Sequence, residues 1–225
     1  QKSSGVINNK TYIPHGVSEK FRMKFARKDF LKKKNFLINC LYVSNIAPYK
    51  NQWHVIRAIK ILRDKGFNVQ LTLTCGGSDD GHEISRRLLK KELLLSDPNH
   101  SFVKILGFVN QDKLPSLLKK ANIFVFASSC ENMPNTLIEA MSTGLPIACS
   151  KKGPMPEILK KGGVYFDPEN PKNIANAIKK LILNKNFRFK VSKESKILSE
   201  KYSWKHCSRK TFFYLNRVAK KFKSS

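Results

Sequence analysis

Glu131 and Glu139 stand eight positions apart, separated by Asn132-Met133-Pro134-Asn135-Thr136-Leu137-Ile138. Asn135 is a good N-cap and Gly144 a good C-cap, so a helix is expected over 136–143, with Glu131 in the loop before it and Glu139 on it. A helix N-terminus offers unpaired backbone N–H groups and the positive end of a dipole, which suits a phosphate. A carboxylate beside it only accepts hydrogen bonds and can take two from a sugar diol. Phosphate and diol together describe a nucleotide. Either glutamate taken singly reads as a solvated surface residue; the string as a whole does not.

A site of that kind needs a scaffold that aims it. From residue 36 onward, β-branched apolar runs alternate with amphipathic segments, the pattern of a parallel sheet wound with helices. Strands are expected near 37–44, 69–75, 103–106, 123–127, 146–149 and 164–166. The run Ile123-Phe124-Val125-Phe126 is apolar without alternation, so it is buried on both faces. Helical spacing marks 52–65 (Trp53, Ile56, Ile59, Leu62, then Gly66), 113–120 and 173–183. The expected fold is α/β: a Rossmann-like, doubly wound parallel sheet of about six strands, whose ligands bind beyond the carboxyl ends of the strands. Residues 1–35 read as a linker or lead-in, and 204–222 as a basic, apolar-faced terminal helix that must pack on something.

The segment from Glu131 to Glu139, continuing into Glu139-Ala140-Met141-Ser142-Thr143-Gly144-Leu145-Pro146, resembles glycosyltransferase family 4. Its GT-B members carry two facing Rossmann-like domains and a Glu-x7-Glu signature in the second. Where the family commonly reads Glu-Gly-Met-Pro-Asn, this chain has Asn132 for the glycine, a residue that tolerates a left-handed backbone. By that resemblance Glu139 binds the donor ribose and Glu131 a hydroxyl of the transferred sugar. Asn135, Thr136 and Leu137 offer the helix N-terminus to the donor. Lys50, in Tyr42-Val43-Ser44-Asn45-Ile46-Ala47-Pro48-Tyr49-Lys50-Asn51, corresponds to the family lysine on the diphosphate. It would stabilise the charge on the departing group. Taken singly, Lys50 would be a solvated surface charge. Asn45 stands where the family often has arginine, so Lys50 acts with helix amides, or Lys151 or Lys152 assists, or the activity is weakened.

Further segments extend the likeness. Leu106-Gly107-Phe108-Val109 resembles the family loop whose backbone holds the donor base at Val109; the plainer reading makes Phe108 a core residue. Gly76-Gly77 ends a strand and reads either as a close approach to ligand or as a turn. Glu157, within Gly153-Pro154-Met155-Pro156-Glu157-Ile158, reads as structural. Ile13-Pro14-His15-Gly16-Val17 resembles the family's interdomain linker, and Tyr202-Ser203-Trp204 the start of its terminal helix. The likeness covers residues 7 to 222. It implies the C-terminal half of a GT-B fold: linker 1–35, donor domain 36–200, crossover helix 201–225, and an N-terminal acceptor domain absent from this chain.

The implied activity is transfer of a sugar, hexosyltransferase type, from a nucleoside-diphosphate sugar to a glycan or lipid-linked acceptor. The family implies retention of configuration and a place in polysaccharide, lipopolysaccharide or capsule-type biosynthesis. The alternative is a non-catalytic nucleotide-sugar-binding or docking subunit that works beside a separate acceptor-binding protein. No cofactor is expected. His15, His54, His82, His100 and His206 show no metal-ligand spacing, so no metal ligands are expected and the site is expected to be metal-independent.

Composition bounds the partners. Among 225 residues, 43 Lys and Arg face 16 Asp and Glu, a formal charge of +27 that predicts anionic neighbours. Lysine clusters at 32–34, 90–91, 160–161 and 220–221 are spread along the chain, so two readings stand: a lysine-biased composition, or attraction to an anionic membrane surface. Nucleic acid ranks below both, because helix-turn-helix, zinc and RNA-recognition signatures are missing. Five scattered cysteines without a C-x-x-C pair, no apolar run long enough to span a bilayer and no apolar leader core predict a reduced, cytoplasmic protein, peripheral to a membrane if it meets one.

Overall fold

The computed structural model describes residues 11–24, 36–76 and 82–223, with side chains as far as Lys220. Six strands form one all-parallel sheet: β1 (Ile38–Ser44), β2 (Val69–Cys75), β3 (Val103–Ile105), β4 (Ile123–Phe126), β5 (Ile147–Ser150) and β6 (Val164–Phe166), in the order β3-β2-β1-β4-β5-β6. All six expected strands are present. β1 and β2 pair over their full length, Ile38 opposite Val69 to Ser44 opposite Cys75. The four residues of β4 are buried, as their unbroken apolar run requires of a central strand.

The helices are α1 (Gln52–Asp64), α2 (Glu83–Ser96), α3 (Leu114–Lys120), α4 (Asn135–Thr143), α5 (Met155–Leu159), α6 (Pro171–Leu183), α7 (Lys185–Ser199) and α8 (Trp204–Lys223). α1 packs on α2 and α6, while α4 packs on α3 and α7. α6 starts two residues before the expected 173, because the Asn170 side chain accepts the Asn173 N–H (3.1 Å) and Pro171 fits the first turn. The buried Arg188 guanidinium donates to the carbonyls of Leu181 and Ile182 at 2.8 and 2.9 Å, closing the α6 C-terminus where α7 begins.

The described part of the expected lead-in, residues 11–24, lies on the domain. Val17 bridges Ser203 and donates to the Tyr202 carbonyl (3.2 Å), which also accepts from Arg22 Nη2 (2.9 Å). Phe21 is wholly buried in the core. Gly16 permits this approach: a Cβ there would lie 2.0 Å from the Trp204 amide nitrogen. The remainder of the expected linker, the 32–34 lysine cluster, Gly77 and the Phe222 side chain lie outside the described residues. On α8, Phe212 and Phe213 are 72% and 70% exposed, so this apolar face has no cover among the described residues.

Candidate functional site

β1 and β4 are neighbours in the sheet, yet the chain leaves β1 toward β2 on one side and continues from β4 toward β5 on the other. A crevice opens at such a switch point, beyond the carboxyl ends of the two strands. The loops after these strands are 45–51 and 127–134, the two that carry Lys50 and Glu131.

Asn51 stitches the loops together. Its left-handed backbone (φ 55°) ends a short 3-10 turn, Pro48–Lys50, and its Nδ2 donates to the carbonyls of Tyr49 (3.1 Å) and Ala127 (3.0 Å). The Ser129 amide donates to Tyr49 O (2.8 Å), and the buried Tyr42 hydroxyl donates to Lys50 O (2.7 Å). Lys50 is thereby fixed at both its backbone and its neighbours. Its side chain runs past the Tyr49 ring, and its ammonium donates to Glu131 Oε1 at 2.5 Å. Both side chains are largely shielded, with 11% and 13% exposure, so the plain reading of Lys50 as a solvated charge does not hold. The carboxylate is felt behind it: burial first, and then the Glu131 charge, raise the Tyr42 phenol and the Cys149 thiol.

The start of α4 departs from expectation. Asn135 is the first helical residue, after Pro134, and does not cap the helix. Its amide already donates to Met133 O (2.9 Å), and its side-chain oxygen accepts from His15 Nδ1 (3.2 Å), whose ring stacks on Trp204. A long-range partner has outcompeted the local cap. The amides of Leu137 and Ile138 both donate to Pro134 O, and the Leu137 side chain is buried. Among the described residues this leaves Thr136 as the first-turn amide without a protein acceptor. Asn132 needs no left-handed backbone: the non-glycine residues with positive φ among those described are Asn51, His100 and Lys160. Asparagine's tolerance is used at Asn51 instead. Gly144, at φ 74°, closes the helix as expected.

Glu139 is 9% exposed, so it is not a solvated helix residue. Burial raises its carboxyl to about 7, against lesser lowering by a hydrogen bond from Gln111 and the charge of Lys20. Lys20 itself pairs with Asp112 at 2.6 Å. A carboxylate so poorly satisfied is ready to accept hydrogen bonds from outside the protein.

The remaining candidates divide. Phe108 is 78% exposed and so is not core; with Val109 it lines a cavity of about 540 Å³. Gly76 is needed by Phe108, whose Cα would lie 2.8 Å from a Cβ at that position. Asn45 is exposed, and its carbonyl accepts from Gln52 Nε2 (2.6 Å). Lys151 and Lys152 are paired with Asp167 (3.2 Å) and Glu169 (3.9 Å), so neither is a ready substitute for a second cation. Glu157 is exposed on α5, away from the core. Among the described residues no three of His, Cys, Asp and Glu converge as a metal would require, and no helix is long and apolar enough to cross a membrane. Sequence reasoning missed Asn51, Tyr42 and His15. The one available signal was an asparagine placed between a strand-end loop and a helix, a position that favours a left-handed residue.

Six parallel strands winding away from a polar switch point define a Rossmann-like domain of the GT-B kind. The chain belongs to the glycosyl transferases group 1, whose family model matches residues 22–197. It is 31% identical over 174 residues to the uncharacterized glycosyltransferase MJ1607 of Methanocaldococcus jannaschii, covering 76% of this chain and 43% of that protein. It is 25% identical to the O-antigen chain mannosyltransferase B of Escherichia coli, over 76% of this chain and 44% of the relative. The chain thus spans less than half the length of these relatives. In fold it resembles sucrose-phosphate synthase from Thermosynechococcus elongatus (TM-score 0.79, 20% identity, 95% of this chain and 53% of that one). It also resembles Anabaena Alr3699/HepE solved with UDP and glucose (TM-score 0.68, 20% identity, 84% and 49%).

Proposed function

We propose that this chain is the donor-binding half of a glycosyltransferase that takes a sugar from a nucleoside diphosphate and passes it to a glycan or lipid-linked acceptor. The observation that carries this reading is the shielded Lys50–Glu131 pair at the switch point; α4, which follows the Glu131 loop, adds the open Thr136 amide and, one turn on, the buried Glu139. Lys50 and the Thr136 N–H hold the diphosphate. Glu131 accepts a hydroxyl of the sugar, Glu139 accepts the ribose diol, and the loop at Val109 meets the base. As the bond from the anomeric carbon to the diphosphate oxygen breaks, Lys50 stabilises the charge gathering on the leaving group. The acceptor oxygen forms the new bond, and its proton passes to the departing diphosphate. Retention of configuration belongs to this reading, as does an acceptor-binding domain or subunit lying against the uncovered face of α8.

Calorimetric titration with UDP, GDP and ADP tests the donor site; no binding of any of the three would remove it. Glu139→Ala is expected to lose most nucleotide affinity. Glu131→Ala is expected to weaken the sugar-bearing donor more than the bare diphosphate. Wild-type binding in both variants overturns the assignment.

A further inference from the structure

A second cavity, of about 540 Å³, lies between the 11–24 segment, the Glu131 loop, α5 and the start of α8. Tyr12 and Asn132 line it, together with Lys160, Lys201, His206 and Lys210; Glu157 contributes a single carboxylate. None of the three lysines has an ion pair among the described residues, in contrast with Lys151 and Lys152 close by in the chain, which are both paired. Lys160 is held there by an unusual backbone: φ 48°, ψ −120°, its amide donating to Pro156 O (3.0 Å) and its carbonyl accepting the Tyr165 hydroxyl (2.6 Å). A bulky residue kept at positive φ stores strain, and such strain concentrates where a side chain must be aimed. Partial burial first, and then the Lys160 charge, hold the Lys201 ammonium below its ordinary value. The two cations therefore act on each other without an ion pair to either among the described residues, a repulsion that a bound anion would relieve. His206 and Lys210 add to this, one helical turn apart on α8.

The cavity's position gives it a use. Asn132 follows Glu131 directly, and a Cβ on Gly153, two residues before α5, would lie 3.8 Å from the Glu131 amide nitrogen. The cavity thus adjoins the end of the site assigned above to the transferred sugar, where an acceptor has to arrive. We infer that it binds the phosphate or diphosphate group of an anionic acceptor and sets that acceptor beside the donor sugar. Its place on the acceptor side rests on the proposed donor reading; its affinity for phosphate does not.

The test uses the ¹⁵N-labelled chain, with inorganic pyrophosphate titrated in the presence of UDP. Saturable shifts are expected at the Lys160, Lys201 and Asn132 amides. A Lys160→Gln/Lys201→Gln double variant should weaken pyrophosphate about tenfold or more, since it loses two charge-assisted contacts, while Lys160→Arg/Lys201→Arg retains binding. UDP is read separately, at the Thr136 and Val109 amides. Shifts that are absent from the cavity, spread evenly over surface lysines, or unaffected by the glutamine variant overturn the inference. Loss of the UDP response with the cavity response intact overturns only the donor reading. Competition then separates the sources: fructose 6-phosphate displaces pyrophosphate if the acceptor is a soluble sugar phosphate, and polyprenyl phosphate in phosphatidylcholine vesicles does so if it is lipid-linked. Competition by neither overturns the acceptor role.

Discussion

Replacing Glu139 by glutamine should stabilise the ligand-free protein while removing its nucleotide affinity. Burial lifts this carboxyl from 4.5 to about 7, so folding is penalised once the group ionises. The sign follows from proton counting. Between pH 4.5 and 7 the folded state holds a proton that the unfolded state has released, so stability falls as pH rises through that window. At about 1.4 kcal/mol per pH unit, the full penalty above pH 7 is roughly 3 kcal/mol. Glutamine preserves shape and the contact with Gln111 but has no charge to desolvate. In urea unfolding at pH 8, Glu139→Gln is expected to exceed the wild type by about 2–3 kcal/mol, with the advantage fading toward zero near pH 4.5. UDP should raise the midpoint of the wild type and leave the variant unmoved. Wild-type affinity for UDP should also increase as pH rises through 7, because the ribose hydroxyls require the ionised carboxylate. A stability gap independent of pH, or one of opposite sign, refutes the account of Glu139 as a destabilised, ligand-directed carboxylate.

Two further perturbations probe the frame. Lys50→Ala leaves the shielded Glu131 without its cation and should cost about 3 kcal/mol. Combining Lys50→Met with Glu131→Gln should recover much of that loss, and strict additivity in a double-mutant cycle would show that the pair is not coupled. Gly16→Ala forces a methyl toward the Trp204 backbone, which cannot yield as a flexible side chain would. A loss of about 1–3 kcal/mol is expected, with disappearance of the His15 ring shift caused by Trp204, both readable by denaturant titration and NMR.

What the sequence made legible was whatever local pattern decides. Unbroken apolar runs located β4 and β5, and Gly144 marked the end of α4, because burial on both faces and a left-handed terminus leave a compositional trace. The charged details were not legible. Lys50 meets Glu131 across 81 positions of sequence, and Asn135 is drawn from its capping role by His15, 120 positions away. Nor does any run of residues distinguish the paired Lys151 from the unpaired Lys160. Phe108 shows the converse: apolar character alone would place it in the core, yet it is exposed, with its backbone packed close against Gly76.

The contact between Lys50 and Glu131 carries one more implication. A cation left bare in the crevice would attract any small anion in solution, and a nucleotide would have to evict it. Here the counter-ion is tethered to the same polypeptide, so the charge of Lys50 is already matched by Glu131. Under the donor reading proposed above, an arriving donor would gain entry by exchange: its diphosphate would take the lysine while its sugar hydroxyl took the released carboxylate. A ligand bearing only one of those groups leaves one member of the pair stranded. On the proposed donor reading, the resting contact would act as a filter that favours the intact sugar nucleotide over either of its fragments.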